Sequence, residues 1–312
     1  MRNKGISSLA ASLIMWLAWM PCKAQEPASQ PYTISDNVNM VVLDVSVRNS
    51  SGSYVRGLDK ADFHIFEDHA SRQISQFTSV DTPVTVGLVV DNSGSMLRKR
   101  AEVITAGLAF ARQSNPDDEF FVVNFNNSVL RGLPEKMLFT DNLQALRSAL
   151  FFGQPKGQTA LYDAVAYSLR HLEFSRQERR ALIVVSDGGD NVSRTGLAEL
   201  MRLIEASRAT VYTVGLFDPE ANDLNPGVLR RFAGVSGGEY FQPSLNEVLP
   251  VFDKISRDIR NRYTLAFVPD EINDKRSIRN VKVTAHENGR KLLVRTRTAY
   301  TITPFSQLLA KQ

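Results

Sequence analysis

Cysteine is nearly absent from this chain. Cys22 is the one cysteine in 312 residues. A lone cysteine gives no disulfide framework and no cysteine-based zinc or thiol site. Histidine is scarce as well, and His64, His69, His171 and His286 show no metal-ligand spacing. They read as solvated or hydrogen-bonded side chains. No phosphate-cradling glycine loop, no dinucleotide-binding glycine pattern and no internal repeat is present. Long apolar runs are missing too. The apolar stretch Ile6 to Met20 is shorter than the roughly 20 residues a membrane span needs.

That stretch reads instead as part of a leader. Arg2 and Lys4 precede it, Pro21 breaks it, and Cys22-Lys23-Ala24 places small residues where a signal peptidase cuts. The expectation is a signal peptide over 1–24 and an exported protein, periplasmic or secreted, with no membrane span after cleavage. Lipid attachment at Cys22 stays open, although Trp19-Met20-Pro21 fits that pattern poorly. The whole chain has 37 basic and 33 acidic residues; losing Arg2, Lys4 and Lys23 leaves 34 against 33. The remainder is near neutral, so charge gives no argument for a nucleic acid or an anionic membrane as partner.

What is there is a globular chain. Its length allows one large domain and a smaller one, and 43% hydrophobic with 22% charged residues is ordinary for folded protein. Gln25 to Pro31 reads as a linker. Val41, Leu43, Val45 and Val47 alternate, as in a half-buried strand. Asn49-Ser50-Ser51-Gly52 is a turn. Further strands are expected near Phe63 and Ile65, and near Ile74, Phe77 and Val80. Beyond Pro83 the pattern changes. Apolar strands at Val84–Val90, Phe120–Phe125, Leu182–Val185 and Thr210–Leu216 alternate with helical segments. The helices are expected over Leu97–Gln113, from Asp141 as cap to Leu150, over Ala160–Phe174, Leu197–Ser207, Pro226–Gly234 and Leu245–Arg260. This order implies a doubly wound, mostly parallel sheet covered on both faces. Ligands of such sheets lie beyond the carboxyl ends of the strands. From Tyr263 the pattern is β again, with Leu292–Arg297 as the last strand.

The two β segments hold about 50 and 40 residues, each marginal as an independent core. The first central strand starts, and the last helix ends, at the edge of the sheet away from Asp91. Both flanks therefore emerge side by side. The expected organisation is an N-terminal β segment over 25–82 that pairs with a C-terminal one over 262–303 into a β-sandwich, an α/β domain over 83–261 inserted between them, and a tail over 304–312.

Three loops at the strand tips carry the chemistry. Asp91-Asn92-Ser93-Gly94-Ser95-Met96 follows the first apolar strand and puts an acid and two hydroxyls at alternate positions. Thr159 lies in Gly157-Gln158-Thr159-Ala160-Leu161, just before a helix. Asp187 follows an apolar strand in Ser186-Asp187-Gly188-Gly189-Asp190. Oxygen ligands without sulfur or imidazole outline a site for a hard cation. Each residue also has a plainer reading. Asp91 or Thr159 could cap a helix, and Ser93-Gly94 could be turn residues. Singly, those readings win; the five together favour a metal. Asp163 and Asp190 are candidates for holding the loops in place, with solvation an equal alternative.

With these three motifs, in this order and on these elements, the stretch from Pro83 to Arg262 resembles the von Willebrand factor A domain and its metal-ion-dependent adhesion site. The flanking segments, including Asp62-Phe63-His64-Ile65-Phe66-Glu67-Asp68, resemble a group of bacterial exported proteins related to that domain. The resemblance implies a doubly wound, Rossmann-like sheet. It implies that Ser93, Ser95 and Thr159 coordinate Mg²⁺ through hydroxyls, with Mn²⁺ as the other candidate, and that Asp91 and Asp187 act directly or through water. It implies a non-enzymatic adhesion module whose protein partner completes the coordination with an Asp or Glu. It also implies that helix Leu245–Arg260 shifts along its axis when the site changes state, which here would pull on the adjoining strand.

Two other readings stand beside this one. The metal could merely order loops in an envelope scaffold. Gly234-Val235-Ser236-Gly237-Gly238 has the spacing of a hydrolase nucleophile elbow, but that motif needs a strand before it and a helix after it. Here a helix precedes and a strand follows. The basic clusters at Arg176–Arg180 and Arg257–Arg262 read as solvated faces.

Overall fold

The computed structural model describes residues 40–217, 225–269 and 278–301. The expected signal at 1–24 with Cys22, the linker that follows it and the tail over 304–312 lie outside the described residues.

The described part opens with four strands, β1 (Val41–Arg48), β2 (Phe63–Glu67), β3 (Ala70–Arg72) and β4 (Ile74–Thr78). Next come β5 (Val84–Asp91), α1 (Arg100–Arg112), β6 (Glu119–Phe125), β7 (Val129–Arg131), α2 (Leu143–Phe151) and α3 (Leu161–His171). These are followed by β8 (Arg179–Ser186), α4 (Leu197–Ala206), β9 (Thr210–Gly215), α5 (Pro226–Ser236), β10 (Tyr240–Phe241) and α6 (Val248–Arg260). Strands β11 (Arg262–Phe267), β12 (Ile278–Glu287), β13 (Arg290–Lys291), β14 (Leu293–Arg295) and β15 (Ala299–Thr301) complete it.

The central sheet has the order β10-β9-β8-β5-β6-β7. All its pairs are parallel except β6 with β7. Every residue of β5 is buried, because helices cover both faces of the sheet. Helices α2, α1 and α6 pack in one layer, and α3, α4 and α5 in the other. Each fully buried Val or Leu of such a strand contributes about 1.5–3 kcal/mol of hydrophobic stabilisation. The chain runs from β5 outward to β6 and β7, then returns to the other side of β5 with β8. That reversal opens a crevice beyond the carboxyl ends of β5 and β8.

The flanking segments pair with each other. β1 lies antiparallel to β11 with Val41 opposite Phe267 and Val45 opposite Tyr263, and β4 joins the other edge of β11. β12 lies antiparallel to β2, with Val283 opposite Ile65. The sheets β14-β1-β11-β4 and β13-β12-β2-β3 enclose one core built from Leu43, Val45, Ile65, Leu265, Phe267 and Val283, among others. The period-two pattern of β1 supplies this core directly. β11 starts two residues after α6 ends, so the sandwich is joined to the α/β part without slack.

Several boundaries differ from the sequence expectation. Gly94–Met96 forms a short 3-10 turn and α1 starts at Arg100, so Leu97 stands 62% exposed rather than inside a helix. Asn142, not Asp141, caps α2: its side chain accepts from the Gln144 and Ala145 N–H groups. Leu245–Glu247 is a 3-10 turn leading into α6. Val80 is 68% exposed and outside any strand. β3 and β15 were not expected. β3 forms a tight hairpin with β2 through Asp68 and His69, whose φ angles of 45° and 73° suit a two-residue turn. Among the described residues no helix is long and apolar enough to cross a membrane.

Candidate functional site

Asp91 ends β5 with its side chain 1% exposed. Its Oδ1 accepts the Ser93 N–H at 2.8 Å, an Asx-type turn that folds the motif back over the strand tip. Its Oδ2 accepts the Ser186 hydroxyl at 2.6 Å. Ser93 Oγ lies 3.1 Å from Ser95 Oγ, and Ser95 donates to Asp187 Oδ2 at 2.6 Å. Asp91, Ser93, Ser95 and Asp187 are thus linked in one chain of contacts across the crevice between β5 and β8. Ser95 and Gly94 face solvent, while Ser93 and Asp187 are buried.

Thr159 approaches on the loop before α3. The Gly157 carbonyl accepts the Gly94 N–H at 3.2 Å, which fastens this loop to the first. Thr159 N–H donates to Asn191 Oδ1 at 2.9 Å and its carbonyl accepts from Asn191 N–H at 3.0 Å, which fastens it to the third. Among the described residues no hydrogen bond joins its hydroxyl to the other four. Asp163 accepts from the Arg194 and Thr195 N–H groups at 2.9 and 2.8 Å. Asp190 accepts the Tyr162 N–H at 3.0 Å and the Ser193 hydroxyl at 2.5 Å. Both acids therefore stitch the start of α3 to the loop after β8 and are not simply solvated.

The electrostatics follow from burial. Burial pushes the Asp91 carboxyl up to about 6; hydrogen bonds from Ser186 and Ser93 pull it down, and the nearby Asp187 charge pushes it up again. Burial raises Asp190 as well. For Asp163 burial works upward, but the Arg194 and Thr195 bonds prevail and hold it below its ordinary value. Two carboxylates and the hydroxyls of Ser93 and Ser95 meet here as oxygen donors only, the donor type of hard divalent cations. Among the described residues no group of three or more His, Cys, Asp or Glu side chains could hold a metal.

Asn92 carries no signal in the sequence beyond its place in the motif. It is fully buried, its N–H donates to Phe125 O at 2.7 Å, and its carbonyl accepts from Lys156 N–H at 2.9 Å. Ser186, which holds Asp91, and Asn191 and Ser193, which hold the Thr159 loop and Asp190, carry no signal of their own either. The one available signal was position: Asn92 and Ser186 adjoin motif acids. Gly188 has a structural duty that the Ser-Asp-Gly motif does signal. Its φ is +80°, and a Cβ there would stand 2.5 Å from the Asn225 carbonyl oxygen.

The other candidates dissolve into structure. Ser236 is 4% exposed; its Oγ accepts the Val211 N–H at 2.9 Å and lies 3.0 Å from Phe232 O. Gly237 is the left-handed C-cap of α5. The apparent elbow is therefore a helix terminus. His171 is buried against Phe121 and Phe139, with Nε2 2.9 Å from Leu138 O. Burial lowers its pKa. A cavity of about 570 Å³ lies at the opposite end of the sheet, lined by Asp117, Asp118, Glu119 and Asp141 among others. Asp118 there is already bound by Val84 N–H, Asn115 N–H and Arg260.

The basic clusters are only partly solvated. Arg179 and Arg262 are 5% and 4% exposed. Arg262 pairs with Asp258 at 2.7 Å, and Asp258 also accepts from Ser46 at 2.7 Å, Tyr212 at 2.7 Å, and Arg48 and Tyr54 at 3.1 Å.

Residues 86–189 match the family model described as von Willebrand factor type A domain. That span contains Asp91, Ser93, Ser95, Thr159 and Asp187. Among solved structures, a von Willebrand factor type A protein from Catenulispora acidiphila is similar over 79% of this chain and 74% of its own, with 15% identity and a TM-score of 0.52. The conserved hypothetical protein BatB from Bacteroides thetaiotaomicron is similar over 56% of this chain and 97% of its own, with 21% identity and a TM-score of 0.46. The vWF domain of the type V pili tip protein Mfa5 from Porphyromonas gingivalis is similar over 58% and 96%, with 15% identity and a TM-score of 0.45. Comparison with curated proteins finds no match. The α/β part of the chain thus has the fold of a von Willebrand factor type A domain, flanked by a β-sandwich.

Proposed function

We propose that this chain is an exported, non-enzymatic binding module that captures a protein partner through a divalent cation at the tips of β5 and β8. One observation carries the reading. Asp91, Ser93, Ser95 and Asp187 come from two loops 92 residues apart and converge through contacts of 3.1 and 2.6 Å. Export rests on the leader-like sequence before Gln25.

The five oxygen-bearing residues would hold Mg²⁺, with Mn²⁺ as the other candidate. The bound ion supplies an electrophilic point that accepts a carboxylate. The protein's part is positional. Ser186 fixes the Asp91 carboxylate, and the Asn191 and Asp190 bonds hold the Thr159 loop. Ser95 stands at the solvent face, where an Asp or Glu of a partner reaches the site. The two carboxylates would roughly balance the ion's charge, and the neutral hydroxyls would leave it electrophilic toward a further carboxylate.

Calorimetric titration of the metal-stripped protein with Mg²⁺ tests this beside Asp187→Ala. One ion bound by the wild type and none by the variant is the expected result. One ion bound by both would remove Asp187 from the site, and no ion bound by either would favour the scaffold reading.

A further inference from the structure

Two of the loops at the strand-tip site, those carrying Ser95 and Thr159, expose apolar and basic side chains. Leu97, Phe151 and Phe152 are 62%, 53% and 51% exposed. Single exposed apolar side chains are ordinary, but a group beside a site marks an interaction surface. Backbone contacts tie this group to the site. The Phe152 carbonyl accepts from Asn92 Nδ2 at 3.4 Å, and the Phe151 carbonyl accepts from Arg100 at 2.8 Å. Asn92 sits between Asp91 and Ser93. Leu97 follows Ser95 by two residues on the same loop. Phe152 begins the loop that leads to Thr159. Both loops that flank Ser95 therefore carry exposed apolar side chains.

Charge points the same way. The stretch from Asn92 to Ala101 contains Arg98, Lys99 and Arg100 and no acid; the stretch from Phe151 to Tyr162 contains Lys156 and no acid. Lys99 and Arg100 are spent on the Leu216 and Phe151 carbonyls. Arg98 and Lys156 are exposed.

Resting on the function proposed above, we infer that the partner segment is an acidic peptide with a large apolar side chain next to its metal-reaching carboxylate. The carboxylate meets the site at Ser95. The apolar neighbour packs on Phe151, Phe152 and Leu97. Further acids of the segment face Arg98 and Lys156. A polar acidic segment leaves the rim uncovered, and a basic segment is repelled.

The test is selection of a random displayed peptide library on the immobilised full chain in Mg²⁺. The winning synthetic peptides are then measured by fluorescence polarisation on wild type, Phe151→Ser/Phe152→Ser, Lys156→Glu and Asp187→Ala. Circular dichroism melts confirm that each variant folds. Expected are peptides pairing Asp or Glu with a large apolar residue, weakened at least about tenfold, or about 1.4 kcal/mol, by the double serine variant and by charge reversal at Lys156. Chelator and Asp187→Ala abolish their binding. Winners that need the metal but ignore both rim variants overturn this inference and leave the metal-dependent function standing. Winners that need the rim but ignore chelator and Asp187→Ala overturn the metal reading instead. No enrichment, or enrichment of basic peptides, overturns the inference.

Discussion

Ser46 and Asp258 are 212 residues apart, yet the Ser46 hydroxyl donates to the Asp258 carboxylate at 2.7 Å in a fully buried contact. The bond ties β1 of the sandwich to α6 of the α/β part. Arg262 at the start of β11 adds a second tie at 2.7 Å, and Tyr212 of β9 a third. The two layers of architecture are thus joined by a polar core as well as by the chain itself.

Removing Asp258 strands buried Arg262 and frees the hydroxyls around it. Asp258→Ala should cost about 3–5 kcal/mol in urea denaturation, the range for breaking one side of a buried ion pair. Ser46→Ala removes one bond and should cost about 1 kcal/mol. Equal, small effects of both changes would show the cluster to be dispensable.

The same carboxyl sets an acid limit. Burial works to raise Asp258, but the Arg262 charge and the Tyr212, Arg262 and Ser46 bonds hold it well below the usual carboxylate range. A group depressed in the folded state stabilises fully above its unfolded value and loses that contribution as pH falls toward its folded value. Stability should therefore drop as pH falls below about 4, where an unfolded Asp takes up its proton. Asp258→Asn should flatten that part of the denaturation profile. An unchanged slope in the variant would assign the acid sensitivity to other groups.

Gly188 supports Asp187 through its backbone. Alanine there meets both an unfavourable φ of +80° and a carbonyl oxygen at 2.5 Å. Gly188→Ala should destabilise the fold by about 1–3 kcal/mol and weaken Mg²⁺ binding more than Gly196→Ala, where the space is open. Calorimetry and thermal melts on the pair check this.

Ser236 is a helix-end residue whose hydroxyl is occupied. A fluorophosphonate serine probe should leave it unlabelled, and Ser236→Ala should cost about 1 kcal/mol of stability. Labelling of Ser236 in the folded protein would reopen the hydrolase reading.

α6 passes to β11 through Asn261 alone. If the site and sandwich communicate, Mg²⁺ should alter hydrogen exchange in β11, and a Gly-Ser insertion after Asn261 should reduce that response. An identical response in the insertion variant would break the link.

Much of this arrangement was legible in the residues. Continuous apolar runs such as Leu182–Val185, short and set between helical patterns, read as strands buried on both faces, and the alternation of Val41 to Val47 marked a one-faced strand. The motifs of Asp91 and Asp187 could be placed because each sits where a strand pattern stops, and Thr159 because it sits just before a helical one. The sandwich was legible from geometry, since both flanks had to leave at one edge. The buried charges were not. Arg262 and Arg179 look like surface residues in sequence, and the partners that bury them, Asp258 and Asp44, belong to other elements. Ser46 falls on the polar face of an alternating strand and gives no hint that α6 covers it. β3 and β15, three residues each, are too short to show a period. Asn92 was invisible because its role is carried mostly by backbone contacts.

The central claim is a cation at the tips of β5 and β8. Crystals grown with Mn²⁺ and measured at its absorption edge test it most directly. The account predicts one anomalous peak bounded by Asp91, Ser93, Ser95, Thr159 and Asp187. No peak there, with the five side chains well ordered and hydrogen-bonded to one another, would contradict it.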